Sequence, residues 1–569
     1  MNEKLWILRR ESEEDKNLRD LFTKEFGISP VTAQILINRN VTSLTDARMF
    51  LGCSLSSLHN PRLLKDMDKA VFRIKQAIAQ KERVMIYGDY DVDGICSVAL
   101  LVSVFAKLGL DVSYHIPNRL EEGYGVNKPA VMAAKKKKVS LIITVDCGVG
   151  ANEEVKYANK LGIDIIITDH HEIVGKLPKA LAIINPLQSD CAYPFKHLAG
   201  VGLAYKLAEC LVEDKPIRMA EYLDFVALGN VADVVPQIGE NRILTRYGLV
   251  ELNKTDKAGL KALMDVSGLS GKQILSGHIG YILGPRINAS GRLGSPEMSV
   301  KLLLTKDANE AKELAQILDK ENRRRQNLES KMLQEALSKV ESEIDLVGED
   351  VIVLSSDDWH KGVIGIVASR ISEKFYKPTV LIAVSKGMGR GSGRSIAHFN
   401  LVEAVGECKE YLVNFGGHEG ACGLTIEKKE IGPFKRKLNE VAGKLLSAEV
   451  VKPRIEIDME VPLNIISSKL ICEIEGLSPF GPWNPKPILS SRNLGLKRSP
   501  TRMGKDHFKI WVTDNKLTCE AVGFRMAGSC LHKINSGRVD IVYSPEMNNW
   551  RGMSSIQLTL QDIRNSSSS

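Results

Sequence analysis

The chain lacks any apolar run long enough to cross a bilayer; its most apolar stretch, Ile95 to Ala106, is too short. The opening Met1-Asn-Glu-Lys-Leu-Trp-Ile-Leu-Arg-Arg10 has neither a long apolar h-region nor a cleavage site, so no secretory leader is expected there. Ten cysteines occur without a single Cys-x-x-Cys pair or a zinc-finger spacing with histidine. That excludes a disulfide framework and a structural zinc site as first readings, and leaves reduced, mostly buried thiols. A cytoplasmic enzyme is the expectation. Nor is there an extreme charge: the net value is +8 over 569 residues, with 26% charged and 44% hydrophobic residues, an ordinary globular composition. At this length one hydrophobic core does not suffice, and three or four domains are expected.

The charge is unevenly placed. Between Lys486 and Arg551 there are 12 Lys/Arg against 5 Asp/Glu, an excess that suits either a surface facing a polyanion or a solvated basic face. From about Arg83 onward, short β-rich runs (Arg83 to Tyr87, Val112 to Ile116, Ser140 to Val145, Asp164 to Thr168, Leu181 to Ile184) alternate with helical patterns at Ile95 to Leu108 and Glu153 to Leu161. That alternation predicts an α/β fold with a parallel sheet wrapped by helices. The expected organisation is an N-terminal helical segment (1–60), a catalytic α/β domain (61–305), a connecting helix (306–346), a second α/β domain (347–452) and a small all-β domain of OB type (453–569). Asp319 to Asn327, in the middle of the connecting helix, is polar around every face, which predicts a strut exposed between domains. In the last segment the basic excess is interleaved with Trp511, Phe524, Tyr543 and Trp550. These aromatics are read either as barrel core or as a platform for single-stranded nucleic acid.

Four blocks carry the chemistry: Asp89-Tyr-Asp91-Val-Asp93-Gly94, Val145-Asp146-Cys-Gly148, Asp169-His170-His171 and Ala232-Asp233-Val. Asp89, Asp146 and His170 each lie just past a predicted strand end, where parallel sheets place their ligands. Carboxylates gathered so closely resist ionising unless divalent cations neutralise them. One imidazole among oxygen ligands points to Mn²⁺ or Mg²⁺ rather than zinc. Two such ions activate water and stabilise charge on phosphorus, so phosphoester hydrolysis is the reaction class.

These blocks resemble the ordered motifs of the DHH phosphoesterase superfamily. Gly389-Arg-Gly-Ser392-Gly-Arg394-Ser and Gly416-Gly-His418-Glu-Gly-Ala-Cys-Gly423 look like its associated DHHA1 domain. Ile116-Pro-Asn-Arg119, Asn230-Val-Ala-Asp-Val-Val-Pro236, Gly284-Pro-Arg286-Ile-Asn-Ala-Ser-Gly-Arg292-Leu and Trp359-His360-Lys-Gly-Val-Ile-Gly365 are closest to the bacterial single-strand-specific 5′ exonuclease family within it. The similarity runs from about residue 60 onward.

The resemblance implies that Asp89, Asp91, Asp93, Asp146, His170 and Asp233 hold two metal ions, with Asp146 bridging. It also implies that His171 assists at the scissile phosphate and that Asp169 orients a histidine. Ser392 and Arg394 would hold a 5′-phosphate, with Arg119 and Arg286 as further phosphate partners and His418 nearby. The implied activity is 5′-to-3′ degradation of single-stranded DNA to 5′-mononucleotides in recombination and repair. The implied state is a monomer working with a single-strand-binding protein and a helicase. Two rivals remain at this stage. One is a DHH enzyme for small substrates, for which a basic β-domain is superfluous; the other is an inactive scaffold, which would typically have lost metal-binding carboxylates. One departure from the family pattern is Trp483 in Phe480-Gly-Pro-Trp-Asn-Pro485, where glycine is expected.

Overall fold

The computed structural model describes residues 4–566 except 10, 120–121, 124, 447–451, 505, 532–533, 535–536 and 551–552. The chain divides into two compact units. One comprises Ser43–Arg323 with Leu477–Lys486, the other Met1–Thr42, Arg324–Gly476 and Pro487–Ser569.

The unit built on Ser43–Arg323 is organised around a five-stranded sheet in the order Val112–His115, Val84–Gly88, Leu141–Val145, Asp164–Thr168, Ala182–Ile184. Every neighbouring pair is parallel. The two central strands are buried throughout, as continuous apolar runs must be when helices cover both faces. The strands lie within a residue of their expected positions. The first crossover helix does not: it runs Val92–Lys107, with Asp91 as its N-cap accepting from the N–H groups of Asp93 and Gly94. An Asp-x-Asp-x-Asp-Gly run supplies its own cap, so the helix starts within the motif and not after it.

The second unit contains two large sheets of different kinds. In the first, the strands lie in the order Leu412–His418, Ala421–Glu427, Met388–Arg394, Thr379–Ser385, Ile352–Ser356, and only the last pair is parallel. The other closes on itself: Leu489–Leu496, Arg538–Trp550, Met553–Asn565, Thr518–Gly523 and His507–Thr513 are neighbours in turn, and the first pairs again with the last. Five strands in a closed barrel are the OB architecture. Tyr543 is fully buried in it and shares a 2.9 Å hydrogen bond with Ser491, Trp511 is half-buried, and Phe524 is 50% exposed. The Trp550 side chain lies outside the described residues. The first strand of the chain, Leu5–Leu8, pairs in parallel with Arg454–Ile457, and Asn38 and Arg39 bind Asp458.

The long helix spans Ala308–Glu343, but its polar centre is not exposed all round. Asp319, Asn322, Arg325 and Glu329 are buried, a polar stripe at helical spacing. Asp319 is held at 3.0 Å by Arg286, and Glu329 by Arg325 at 2.6 Å and Arg370 at 2.5 Å. Buried charges persist when paired, and two of these partners, Arg286 and Arg370, come from distant segments that a helix pattern does not reveal. Among the described residues no helix is long and apolar enough to cross a membrane. Among the described residues no cysteine forms a disulfide, and Cys472 alone of them is exposed.

Candidate metal centre and phosphate-binding sheet

Sheet register brings the acidic blocks together. Gly88 is paired with Val145, and Val145 with Thr168. The next residue on each strand is Asp89, Asp146 or Asp169, so three carboxylates leave the sheet in one row. His170 and His171 follow at once, and Asp233 arrives from the C-cap of the helix Leu223–Ala232. Asp93 lies in the first turn of Val92–Lys107 and is fully buried, accepting hydrogen bonds from Gly200 N–H at 2.7 Å and Val201 N–H at 2.8 Å. These donors start the helix Gly200–Val212, whose N-terminal dipole favours the carboxylate. A Cβ at Gly200 would stand 2.7 Å from that of Asp146, so only glycine lets the donor helix approach.

The ligand atoms converge. His170 Nε2 lies 3.0 Å from Asp146 Oδ1, 3.5 Å from Asp233 Oδ2 and 3.8 Å from Asp93 Oδ2. Three overlapping groups, Asp146/His170/His171, Asp93/His170/Asp233 and Asp89/Asp91/Asp146, each have one atom per residue within 4.8 Å of the others. Asp146 belongs to two of them. Yet among the described residues the buried atoms Asp89 Oδ1, Asp146 Oδ1 and His170 Nε2 make no hydrogen bond, the last two meeting at 3.0 Å without hydrogen-bond geometry, although such groups normally find a partner.

Burial, with the neighbouring carboxylates adding to it, pushes Asp93 up to about 7, Asp233 up to about 9 and Asp89 and Asp146 well above the carboxylate range. Burial likewise lowers His170 to about 4, which leaves it a neutral imidazole with a free lone pair. Orphaned oxygen and nitrogen lone pairs, held too close to ionise alone, fit Mn²⁺ or Mg²⁺.

His171 is in a different state. Its burial lowers the pKa, but the hydrogen bond and charge of Asp169 outweigh this and raise it to about 9. Asp169 Oδ1 lies 2.8 Å from His171 Nδ1, while its other oxygen accepts from Val149 N–H at 2.8 Å. Asp169 therefore orients the second histidine. His171 lines a cavity of about 310 Å³ together with Asp89, Asp91, Tyr90, Arg119, Ala232, Asn288 and Arg292. Arg119 lies over the Tyr90 ring, 5.2 Å from its centroid.

Arg286 is placed elsewhere, donating to Asp319 at 3.0 Å and to the Ile282 carbonyl at 2.7 Å. The cavity receives Asn288 and Arg292 instead, one turn apart on the helix Gly284–Leu293. Their i, i+4 spacing was visible in the motif that contains all three residues.

In the second unit, Arg394 donates to Ser392 Oγ at 3.0 Å and to the Gly393 carbonyl at 2.7 Å. The helix Ile364–Phe375 starts directly over them: a Cβ at Gly365 would lie 2.9 Å from both Arg394 Nη2 and Ser392 Oγ. A guanidinium, a hydroxyl and a helix N-terminus together suit a phosphate. His418 sits two strands away, paired with Ala421, which in turn pairs with Arg394.

A parallel sheet whose strand ends gather metal-binding carboxylates and a histidine pair defines a phosphoesterase of the DHH class. Residues 83–230 match the model of the DHH family N-terminal domain, 348–444 that of the DHHA1 domain and 457–562 that of the RecJ OB domain. Among curated proteins, the single-stranded-DNA-specific exonuclease RecJ of Bacillus subtilis is 38% identical over 98% of this chain and 70% of its own length. The Salmonella typhimurium RecJ is 33% identical over 99% and 100%. The crystal structure of Thermus thermophilus RecJ in complex with Mn²⁺ superposes with a TM-score of 0.85 at 28% identity, covering 99% of this chain and 80% of that one. The chain belongs to the RecJ family.

Proposed function

We propose that this protein is a metal-dependent exonuclease that degrades single-stranded DNA from the 5′ end, releasing 5′-mononucleotides in recombination and repair. The observation that carries this reading is the row of buried carboxylate and imidazole atoms without partners at three adjacent strand ends. Asp89, Asp91, Asp93, Asp146, His170 and Asp233 would hold two divalent ions, Mn²⁺ or Mg²⁺, which activate water for attack and neutralise charge on the phosphorus.

The remaining steps belong to the chain's own side chains. His171, held as an imidazolium by Asp169, donates a hydrogen bond to a phosphate oxygen or a proton to the departing 3′ oxygen. Arg119 and Arg292 steady the phosphate in the cavity. Ser392 and Arg394 take the 5′-phosphate, which sets the polarity of digestion. Single-stranded DNA is the substrate; a single-strand-binding protein and a helicase as partners, and a monomeric state, belong to the same proposal.

Digestion of strands labelled at either end tests it. Label at the 5′ end should be released first, as mononucleotide, from single strands but not from duplex, with Mn²⁺ or Mg²⁺ and not in chelator. Release starting from the 3′ end, or equal digestion of duplex, would overturn it. Arg394→Ala should reduce the preference in kcat/KM for a 5′-phosphorylated over a 5′-hydroxyl end by about ten- to a hundredfold, since a charge-assisted hydrogen bond contributes about 1.5–3 kcal/mol. An unchanged preference would place the end-binding pocket elsewhere.

A further inference from the structure

The departure at Trp483 has a backbone explanation and a surface consequence. Gly481 and Asn484 exchange backbone hydrogen bonds at 3.0 and 3.1 Å, closing a tight turn with Pro482 and Trp483 at its tip. Trp483 has φ +61°. A turn with proline first and a left-handed residue second is one that normally places glycine there, and a bulky side chain populates that region rarely. The turn does not yield to the indole. Asn484 is buried and its side-chain amide donates to the carbonyls of Leu477 and Pro479, both at 2.9 Å. Gln237 N–H is bonded to the Pro482 carbonyl at 2.8 Å. The indole is thus displayed from a rigid support. It is 56% exposed.

Its one ring neighbour among the described residues is His197, with centroids 4.7 Å apart and planes at 71°. An edge-on neighbour leaves at least one indole face open. Two of its neighbours, His197 and Gln237, belong to segments that continue into the metal centre. His197 is followed three residues on by Gly200, whose N–H holds Asp93. Gln237, bonded to the turn, is four residues after Asp233, and between them Val234 is 64% exposed.

We infer that Trp483 is a stacking site for an unpaired nucleobase of the strand bound at the metal centre. An open π-face on the unit that carries the acidic cluster suits a base, because every base has a stacking face while paired bases in a duplex do not present theirs. The inference rests on the proposed action on single-stranded DNA, and it adds a contact that reads unpaired bases where the phosphate contacts read only backbone.

The test compares the intact protein with Trp483→Gly, which relieves the left-handed strain and so keeps the turn, and with Trp483→Phe, which keeps an aromatic face. Affinity is measured in chelator for a short oligothymidylate and for an abasic strand of the same length. Trp483→Gly should weaken oligothymidylate binding by about tenfold and leave abasic binding unchanged, with Trp483→Phe close to the parent. The fluorescence component lost in Trp483→Gly, one of five tryptophans, should be quenched by oligothymidylate only. Equal affinities in parent and Trp483→Gly, or an equal loss on both strands, would overturn the stacking site even though the parent degrades single strands. If the parent fails to degrade single strands at all, it is the functional proposal that falls.

Discussion

Two kinds of buried carboxylate occur in the same structural unit. Glu240 is 2% exposed and fully served: Lys206 Nζ is 2.9 Å away, the Tyr193 hydroxyl donates at 2.6 Å and the His59 N–H at 2.9 Å. Asp224, 1% exposed, has Lys257 at 2.7 Å and the Thr255 hydroxyl at 3.0 Å. Asp146 and Asp89 are buried as deeply, yet each keeps an oxygen with no donor among the described residues. Where a carboxylate serves the fold, the chain supplies its cation. At the strand ends the nearest cation, His171, is taken up by Asp169 at 2.8 Å, and the charge that Asp89 and Asp146 lack is what a bound metal would bring.

The largest expected effect sharpens this contrast at the metal centre. Asp146→Ala should lower kcat by at least about a thousandfold, because the lost stabilisation of charge on phosphorus amounts to several kcal/mol. In chelator its unfolding free energy should not fall, since a buried carboxylate without a donor is removed. Unchanged turnover, or a large loss of metal-free stability, would break the comparison.

Lys206→Met should do the reverse. Leaving Glu240 buried without its cation should cost about 3–5 kcal/mol of stability, read from urea unfolding of the whole chain. A cost below about 1 kcal/mol would make the two kinds of carboxylate equivalent.

The smallest effect is the pH dependence of metal stabilisation. Asp93 and Asp233, raised to about 7 and about 9, bind more protons folded than unfolded in the metal-free protein. Their stabilising contribution is complete below the ordinary carboxylate range and is lost as pH rises through those values. The rise in Tm on adding Mg²⁺ should therefore grow between about pH 5 and pH 9, reaching the equivalent of about 2.7 kcal/mol at a hundredfold excess over Kd. A rise that shrinks with pH would show that the carboxylates are neutralised in some other way.

The strands of the catalytic sheet, the acidic blocks at their ends and the His170-His171 pair were legible in the chain, because each is a local pattern of apolar run followed by polar ligand. The parallel register that aligns Asp89, Asp146 and Asp169 follows from that pattern. Closure of the barrel was legible only as alternation. Other features needed partners far away in sequence. Arg286 and Arg292 sit in one motif, and nothing local says which meets the cavity: packing of the helix Gly284–Leu293 turned Arg292 into it and gave Arg286 to Asp319. The polar centre of the long helix reads as exposed until Arg286 and Arg370 pair with it. Trp483 reads as a misplaced glycine until its turn and His197 are seen together. The sequence by itself determined which atoms can bind metal, since ligand chemistry resides in residue type and strand ends in hydrophobic pattern. Which guanidinium lines the cavity, and which charges stay buried, was decided by tertiary structure, because the energy of a buried charge depends on partners that only packing brings within reach.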